Sequence, residues 1–469
     1  MSITSAVYCG GPLYSGGNSV IDDFKGSGFT TVVAWAVHIE SNGDLVYNNP
    51  KIVSNGAYIG EGNWPAQLAS LKEGSTSVNR LIFSIGGWGV QDFPNIQKLI
   101  REQGTGPDSI LYKNFKALKD TIPGIDAIDL DDETLYDQAT TVAFSKMLHD
   151  LGYEVTFCPY VSTQFWVDCL YELNSQTPGL VTAFNLQCYA GGGGNNPQTW
   201  ISAIQEKMGT GFNAKGFVFP GLWCRNGQNC ESGDCPDAIY TQLENWSPTG
   251  IQGGFIWLYD DIESCKNSGV CSGAMNSAAY AQAITDALGG QVLWKKMDNV
   301  AEYKGASWNN FIKTVSNTSV ENAQKIADED NNVTFFFYCR QPIMLDSRSF
   351  KAGDAVFFSG QPWYGNAPQC DAYQKMKVSW EKKSNVAEYK GASWNNLVKK
   401  TPKTSIKEAK QIADSDPAIT FFFYCNQTVY LEPKGVFEQG DAVFFSGEPW
   451  YGSAPQCDSY EKVEKPVWE

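Results

Sequence analysis

The sequence predicts an α/β protein in which a (β/α)8 barrel is followed by two small tandem α+β modules. Short apolar runs recur up to Leu258, and the intervals between them leave room for helices. Beyond about residue 290 the pattern changes and the chain repeats itself. The 469 residues therefore divide into three predicted domains, at 1–290, 291–378 and 379–469.

Eight apolar runs in the first domain have the length of strands. Eight parallel strands, each followed by a helix, is the number that closes such a barrel. The runs cover residues 6–9, 31–35, 81–83, 125–130, 155–158, 184–188, 216–219 and 253–258. Segments between them, such as 143–148 and 200–204, have helical periodicity. Active sites of this fold lie at the C-terminal ends of the strands, where Glu133, Tyr189 and Trp257 are predicted to lie.

An acid-rich strand is the most informative segment of the chain. Residues 124–133 read GIDAIDLDDE, and side chains alternate faces along a strand. Asp129, Asp131 and Glu133 therefore share one face. Neighbouring negative charges raise one another's pKa, so Glu133 is the candidate general acid. A calcium loop is excluded by the missing Gly and Glu positions, and an acidic surface turn would not explain the apolar residues between the acids.

This segment resembles the catalytic signature of family 18 glycoside hydrolases, Asp-Gly-x-Asp-x-Asp-x-Glu, with Ala127 in place of the Gly. Three more segments resemble the family in the same order along the chain. Residues 81–88 are similar to its third strand, 184–189 to its sixth and 254–257 to its eighth. Asp132 before Glu133 resembles the endo-β-N-acetylglucosaminidase branch of the family, whereas many chitinases have an apolar residue there.

The resemblance implies a retaining hydrolase of β-1,4-linked N-acetylglucosamine, in which the acetamido group of the substrate is the nucleophile. Chitin and the chitobiose core of N-glycans are the alternative substrates, and no cofactor or metal is implied. The alternative function is a non-hydrolytic chitinase-like lectin or a glycan-targeted toxin. The implied roles are proton donor for Glu133, acetamido orientation for Asp131 and Tyr189, charge modulation for Asp129, and substrate binding for Gln187 and Trp257.

The repeat in the last third of the chain has an offset of 86 residues, and then 87 after one insertion. Each copy has a helix predicted after a Ser N-cap, Ser319 and Ser405, and then a Phe-rich strand. Each copy also has a Trp-Tyr-Gly segment, whose flat rings suit sugar stacking unless they belong to the core. The rings predicted to bind sugar are Trp363, Tyr364, Trp450 and Tyr451.

The 13 cysteines indicate an oxidising, extracellular location. One pair recurs in each repeat, which predicts a Cys339–Cys370 and a Cys425–Cys457 disulfide. The cysteines in loops, including Cys224, are interpreted as disulfides rather than zinc ligands.

Charge and hydropathy exclude other classes of partner. The net charge of −16 argues against binding to nucleic acid or anionic membranes. No apolar run reaches the roughly 18 residues of a membrane span. The start of the sequence leads at once into the first predicted strand, so it is expected to hold no signal peptide.

Overall fold

The computed structural model describes residues 3–209, 211–271, 273–289, 291–302, 307–330, 332–345, 347–388, 393–416, 418–431 and 435–467. The chain forms two compact units, one of residues 3–289 and one of the described residues from 291 onward. The first unit contains a closed parallel barrel, and the second is mostly β structure.

Eight parallel strands close the barrel, because β1 pairs with both β8 and β2. Each contains or overlaps one of the apolar runs of the sequence, so the predicted barrel is confirmed. An antiparallel excursion follows β2, with strands Leu45–Tyr47, Lys51–Ser54 and Ala57–Tyr58. The barrel strands are β1 Thr4–Cys9, β2 Thr31–Ile39, β3 Arg80–Gly86, β4 Ala127–Asp131, β5 Glu154–Phe157, β6 Val181–Gln187, β7 Val218–Trp223 and β8 Gly253–Trp257.

Helices surround the barrel and bury their apolar faces against it. Local sequence sets several of their starts: the Asn196 side chain accepts a hydrogen bond from the Gln198 backbone N–H, and Pro197 fills the first helical position. Within the described residues, no helix is long and apolar enough to cross a membrane. The helices are Pro12–Ser15, Gly17–Ser27, Trp64–Ser70, Asp92–Gln103, Ile110–Thr121, Gln138–Asp150, Thr163–Gln176, Pro197–Met208, Pro236–Trp246, Tyr259–Cys265 and Ser277–Gly289.

The second unit contains the same elements in the same order in both copies of the repeat. The predicted Ser N-caps are present, since Ser319 and Ser405 accept backbone hydrogen bonds at the starts of their helices. The first copy has strands Gln291–Glu302, Phe311–Val315, Phe335–Cys339, Ile343–Leu345, Arg348–Phe350 and Ala355–Phe358, and helix Val320–Glu329. The second has strands Leu397–Thr401, Phe421–Cys425, Val429–Leu431, Gly435–Phe437, Ala442–Phe445 and Tyr451–Pro466, and helix Ile406–Asp414.

A single strand, Tyr364–Glu388, joins the two copies. Its first part pairs with Phe335–Cys339 of the first copy, and its second part pairs with Tyr451–Pro466 of the second. The boundary proposed between residues 378 and 379 falls inside this strand. The copies are therefore connected through a shared sheet rather than through a loop.

The cysteines divide into disulfides and thiols. Two disulfides, Cys230–Cys265 and Cys235–Cys271, join the segment after β7 to the segment after β8. The expectation for Cys224 was wrong: this cysteine is a buried thiol, 3.3 Å from the carbonyl oxygen of Leu258. The repeat cysteines face each other in cross-strand register without a disulfide bond between them, with Sγ atoms 3.4 Å apart in Cys339/Cys370 and 3.5 Å apart in Cys425/Cys457. Their disulfides stay a prediction.

Candidate active site

The acid strand β4 is buried along its whole length in the wall of the barrel. Ser84 and Gly86 of β3 pair with Asp129 and Asp131, and Thr156 of β5 pairs with Asp129 from the other side. Alternation of side chains turns Asp129 and Asp131 to the same face, and Glu133 follows two residues after the strand ends. The three acids therefore follow one line toward the C-terminal end of the barrel.

Asp129 is fully buried and accepts four side-chain hydrogen bonds. Oδ2 accepts from the hydroxyls of Tyr8 at 2.9 Å and Ser84 at 2.8 Å. Oδ1 accepts from Thr156 Oγ1 at 2.6 Å and Asn185 Nδ2 at 2.9 Å. Burial raises the pKa of Asp129, and these donors oppose that rise because they favour the charged form. Four donors thus hold Asp129 directly below the outer two acids.

Gln187, at the end of β6, links the outer two acids. Its Nε2 donates to Asp131 Oδ1 at 2.9 Å and to Glu133 Oε1 at 3.1 Å. Burial is the largest cause that raises the pKa of Asp131, followed by the charges of Glu133 and Asp129. Burial also raises the pKa of the half-buried Glu133, which shares a hydrogen bond with Asp131. Such a pair retains a proton at a pH where an ordinary carboxyl group has lost it, and a general acid requires this.

Asp132 shapes the turn that carries Glu133. Its buried carboxylate accepts hydrogen bonds from the backbone N–H groups of Thr134 at 2.9 Å and of Leu135 and Tyr136 at 2.8 Å. Three backbone donors are thereby fixed directly after the general-acid candidate. In the sequence, only the family resemblance singles out Asp132, although an Asp side chain often accepts hydrogen bonds from the backbone that follows it.

The glycines after β3 allow close contact with the acid strand. Gly86 and Gly87 have φ values of 109° and 114°, which non-glycine residues rarely adopt. A Cβ atom at Gly86 would collide with the carbonyl oxygen of Asp131. That oxygen accepts a hydrogen bond of 2.9 Å from the Gly87 backbone N–H. The two glycines of segment 81–88, which resembles the third strand of the family, therefore meet a physical need for glycine.

Aromatic rings surround the acids at this end of the barrel. Tyr189 and Trp257 stack with ring centroids 5.8 Å apart and planes 23° apart. Trp35, which was not predicted as a site residue, meets Trp257 edge-on with a centroid distance of 4.6 Å. Trp88 directly follows the two glycines and is 86% exposed. A pyranose ring can pack against such flat apolar faces.

The structure brings together the six site residues that the sequence predicted in the barrel: Asp129, Asp131, Glu133, Gln187, Tyr189 and Trp257. The sequence did not identify the donors to Asp129, although these occupy inward positions on four other strands of the barrel. It also gave no site role to Cys158, whose Sγ atom lies 3.4 Å from Tyr8 Oη and 3.6 Å from Gln187 Nε2. Within the described ranges, no group of three or more His, Cys, Asp or Glu side chains could hold a metal ion.

The rings predicted in the repeats lie in the second unit. Trp363 and Trp450 are 62% and 64% exposed, whereas Tyr364 and Tyr451 are partly buried. The phenylalanines at 335–337 and 421–423, on the Phe-rich strands, are fully buried, as expected of core. Core packing therefore explains the phenylalanines but not the two tryptophans.

Comparison with known proteins gives matches among solved structures alone. No family model matches the chain, and no curated protein matches it. Catalytic domain 2 of the group II chitinase of Ostrinia furnacalis matches at 11% identity and TM-score 0.43, over 62% of this chain and 97% of that one. The catalytic domain of a hyperthermophilic chitinase from Pyrococcus furiosus matches at 10% identity and TM-score 0.42, over 62% of this chain and 96% of that one. Human YKL-39, a pseudo-chitinase with retained chitooligosaccharide binding, matches at 12% identity and TM-score 0.42, over 62% of this chain and 100% of that one. Likeness at this level carries no argument about activity.

Proposed function

We propose that this protein is a retaining glycoside hydrolase of the family 18 type, which cleaves β-1,4 linkages of N-acetylglucosamine. The observation that carries the proposal is the link through Gln187 between Asp131 and Glu133, at 2.9 and 3.1 Å, at the mouth of a closed barrel. Two carboxyl groups this close together hinder each other's ionisation, so one of them can keep a proton to donate.

In the proposed reaction, Glu133 protonates the glycosidic oxygen and the leaving sugar departs. The acetamido oxygen of the substrate attacks the anomeric carbon and forms a cyclic cation, so no enzyme nucleophile is needed. Glu133, now a carboxylate, takes a proton from the water that opens this ring. Two displacements at the anomeric carbon retain its configuration.

Asp131 is the proposed partner of the acetamido group. A carboxylate beside that group stabilises the positive charge that develops on it, and the Tyr189 hydroxyl is proposed to bond the acetamido oxygen. Asp129 lies one position further into the barrel on the same face, and its charge raises the pKa of Asp131. Trp257, stacked on Tyr189, is the proposed floor under the sugar.

Hydrolysis is favoured over a purely lectin-like function because the general-acid candidate is present and its pKa is raised by burial. Chitin and the N-glycan chitobiose core remain the rival substrates. The resemblance to the endo-β-N-acetylglucosaminidase branch rests on Asp132, and the hydrogen bonds of its carboxylate to the following turn give this residue a structural role.

One assay tests this function and separates its alternatives. The protein is incubated in parallel with chitin oligomers and with a high-mannose glycoprotein, and the released ends are identified. Shorter oligomers indicate a chitinase, whereas a free glycan that leaves one N-acetylglucosamine on the protein indicates an endo-β-N-acetylglucosaminidase. Binding to either material without cleavage would contradict the hydrolase and support a lectin.

We further propose that the two repeats are glycan-binding modules of an extracellular protein. Exposure of an equivalent tryptophan in both copies supports binding, because an exposed indole offers a face for sugar stacking. Two such sites on one chain raise avidity without new contacts. The two disulfides of the barrel are compatible with an oxidising compartment.

Replacement of Trp363 and Trp450 by Ala is expected to weaken binding of the full chain to insoluble chitin or a multivalent glycan. Each lost ring should cost about 1 to 3 kcal/mol if stacking here resembles other aromatic platforms. A sedimentation assay with the insoluble glycan measures the loss, and cleavage of a short soluble oligomer should not change.

Tyr430→Ala is the matched control, because Tyr430 is also an exposed ring, at 62%, but lies on a hairpin outside the Trp-Tyr segments. Equal binding by the double variant and the unaltered protein would contradict a sugar site at the tryptophans. Loss of folding in the double variant would mean that these rings stabilise the unit.

A further inference from the structure

A cavity with a mixed polar and apolar lining lies inside the barrel on the side opposite the active-site mouth. It measures about 120 Å³ and begins at Thr4, Thr31 and Arg80, the first residues of β1, β2 and β3. Interiors of such barrels are normally filled by layers of large side chains. Here Ala6 and Ala183 contribute only small side chains to the wall, beside the larger Val33, Ile82 and Phe219, and a space is left between them. This departure from close packing needs a physical reason.

Two polar groups in the cavity wall have no protein partner within the described chain. Asn185 is 4% exposed, and its side-chain amide donates to Asp129 and Thr156, but its amide oxygen accepts no hydrogen bond. The hydroxyl of Thr31, which is 3% exposed, forms no hydrogen bond either. Polar groups without a protein partner are usually satisfied by ordered water. One water molecule needs only about 10 to 15 Å³ of such volume, so the cavity has room for several.

The same wall reaches the acid strand. Asn185 Nδ2 and Thr156 Oγ1 both line the cavity, and both donate to Asp129 Oδ1, at 2.9 and 2.6 Å. We propose that the cavity holds a cluster of ordered water molecules that solvates Asp129 through Asn185 and Thr156, from the N-terminal end of the barrel. Asn185 and Thr156 are then positioning residues, since they act on the reaction through Asp129.

This solvation has a consequence for the acids at the mouth. A water molecule that donates to the Asn185 amide oxygen polarises the amide, and its N–H groups then donate more strongly to Asp129. The charged form of Asp129 is thereby favoured against the effect of burial. A charged Asp129 in turn raises the pKa of Asp131, so the Asp131 and Glu133 pair keeps its proton.

The other titratable groups near Asp129 do not supply the negative charge that raises the pKa of Asp131. Burial raises the pKa of Tyr8 on β1 and of Cys158 after β5, so both stay neutral. Arg80 lines the far end of the cavity, and its guanidinium pairs with Glu154 at 2.5 Å. The remaining neighbours, Asp131 and Glu133, are the acids that the charge acts upon.

A high-resolution crystal structure of the unaltered protein tests the water cluster without any assay of activity. We expect ordered water within hydrogen-bond distance of Asn185 Oδ1 and of the Thr31 hydroxyl. A cavity without ordered water would overturn the proposal.

The pH dependence of kcat/KM on an N-acetylglucosamine oligomer tests the coupling, and this readout rests on the proposed hydrolase function. Ala183→Val fills part of the cavity without touching Asp129, and Ala183→Ser is the matched control that leaves room for water. The Val variant should shift the midpoint of the acidic limb of this pH profile to higher pH by about 0.5 to 1 unit, because a less solvated Asp129 is protonated more easily. The Ser variant should not move it.

An unchanged acidic limb in Ala183→Val, with the water displaced in its crystal structure, would overturn the coupling. If the Ala183→Val protein does not fold, Thr31→Val takes its place in the experiment. This change removes one polar group of the wall at nearly constant volume. Absence of hydrolysis by the unaltered protein would reject the proposed function, while the water structure would still decide on the cavity.

Discussion

Glu133→Gln should lower turnover by a factor of about 10² to 10⁴, the range typical for loss of a general acid. The amide keeps nearly the same size and can still accept the hydrogen bond from Gln187 Nε2. It cannot give a proton to a glycosidic oxygen. Because the loss falls on the chemical step, kcat should fall while the affinity for a bound oligomer changes little. Steady-state kinetics together with calorimetric binding separate these two quantities.

Glu206→Gln is the control for this comparison, since Glu206 is an exposed acid on the helix Pro197–Met208 and lies outside the candidate site. It should leave turnover unchanged. Near-normal turnover in Glu133→Gln would remove Glu133 from the reaction. An equal loss of oligomer affinity and turnover would instead mean that the carboxyl group binds substrate and does not transfer the proton.

The raised pKa of Glu133 also gives the direction of the alkaline limb. Activity requires the protonated acid, so it should decline as the pH rises through the pKa of Glu133, which burial moves above its ordinary value. The Gln variant has no proton to lose at this position. Its residual activity should therefore lack that limb.

The barrel could be predicted because its strands are apolar runs separated by helical segments. A strand buried on both faces, as in a parallel barrel, is apolar almost throughout. The runs at residues 6–9 and 31–35, for example, lie inside β1 and β2. Acids within one such run, at Asp129 and Asp131, stand out against this background, and the site could be located for that reason.

The donors to Asp129 could not be predicted from spacing in the sequence. Tyr8, Ser84, Thr156 and Asn185 lie on four different strands, and each resembles an ordinary polar residue near the middle or end of its run. Their convergence depends on strand register, which sets the pairing of Ser84 and Thr156 with Asp129. Register is a property of the closed barrel rather than of any one segment.

In the repeats, the sequence identified the helices but not the way in which the copies join. Ser319 and Ser405 could be predicted as N-caps because a capping side chain acts on its own helix. The shared strand Tyr364–Glu388 contains no Gly or Pro near residue 378, so no local signal marks either a break or a continuation. Similarly, Cys224 differs from the paired cysteines only by its position in space.

The second large effect concerns the substrate. Replacement of the acetamido group by hydroxyl, as in a plain β-1,4-glucan oligomer of equal length, should abolish detectable cleavage. In the proposed mechanism the nucleophile belongs to the substrate, and removal of the acetamido group leaves none. Among the described residues around the mouth, the carboxyl groups of Asp131 and Glu133 are bound to one amide, and Asp129 is buried behind four donors.

A stable thiazoline mimic of the cyclic intermediate provides the complementary measurement. It carries the ring of the intermediate, and its nitrogen can take a proton to give the positive charge that the site is proposed to stabilise, so it should bind more tightly than the oligomer itself. Asp131→Asn should weaken the mimic more than the uncleaved oligomer, because Asn lacks the negative charge that pairs with the cation. Efficient cleavage of the glucan would reject acetamido participation, and equal affinity of the Asn variant for mimic and oligomer would remove Asp131 from charge stabilisation.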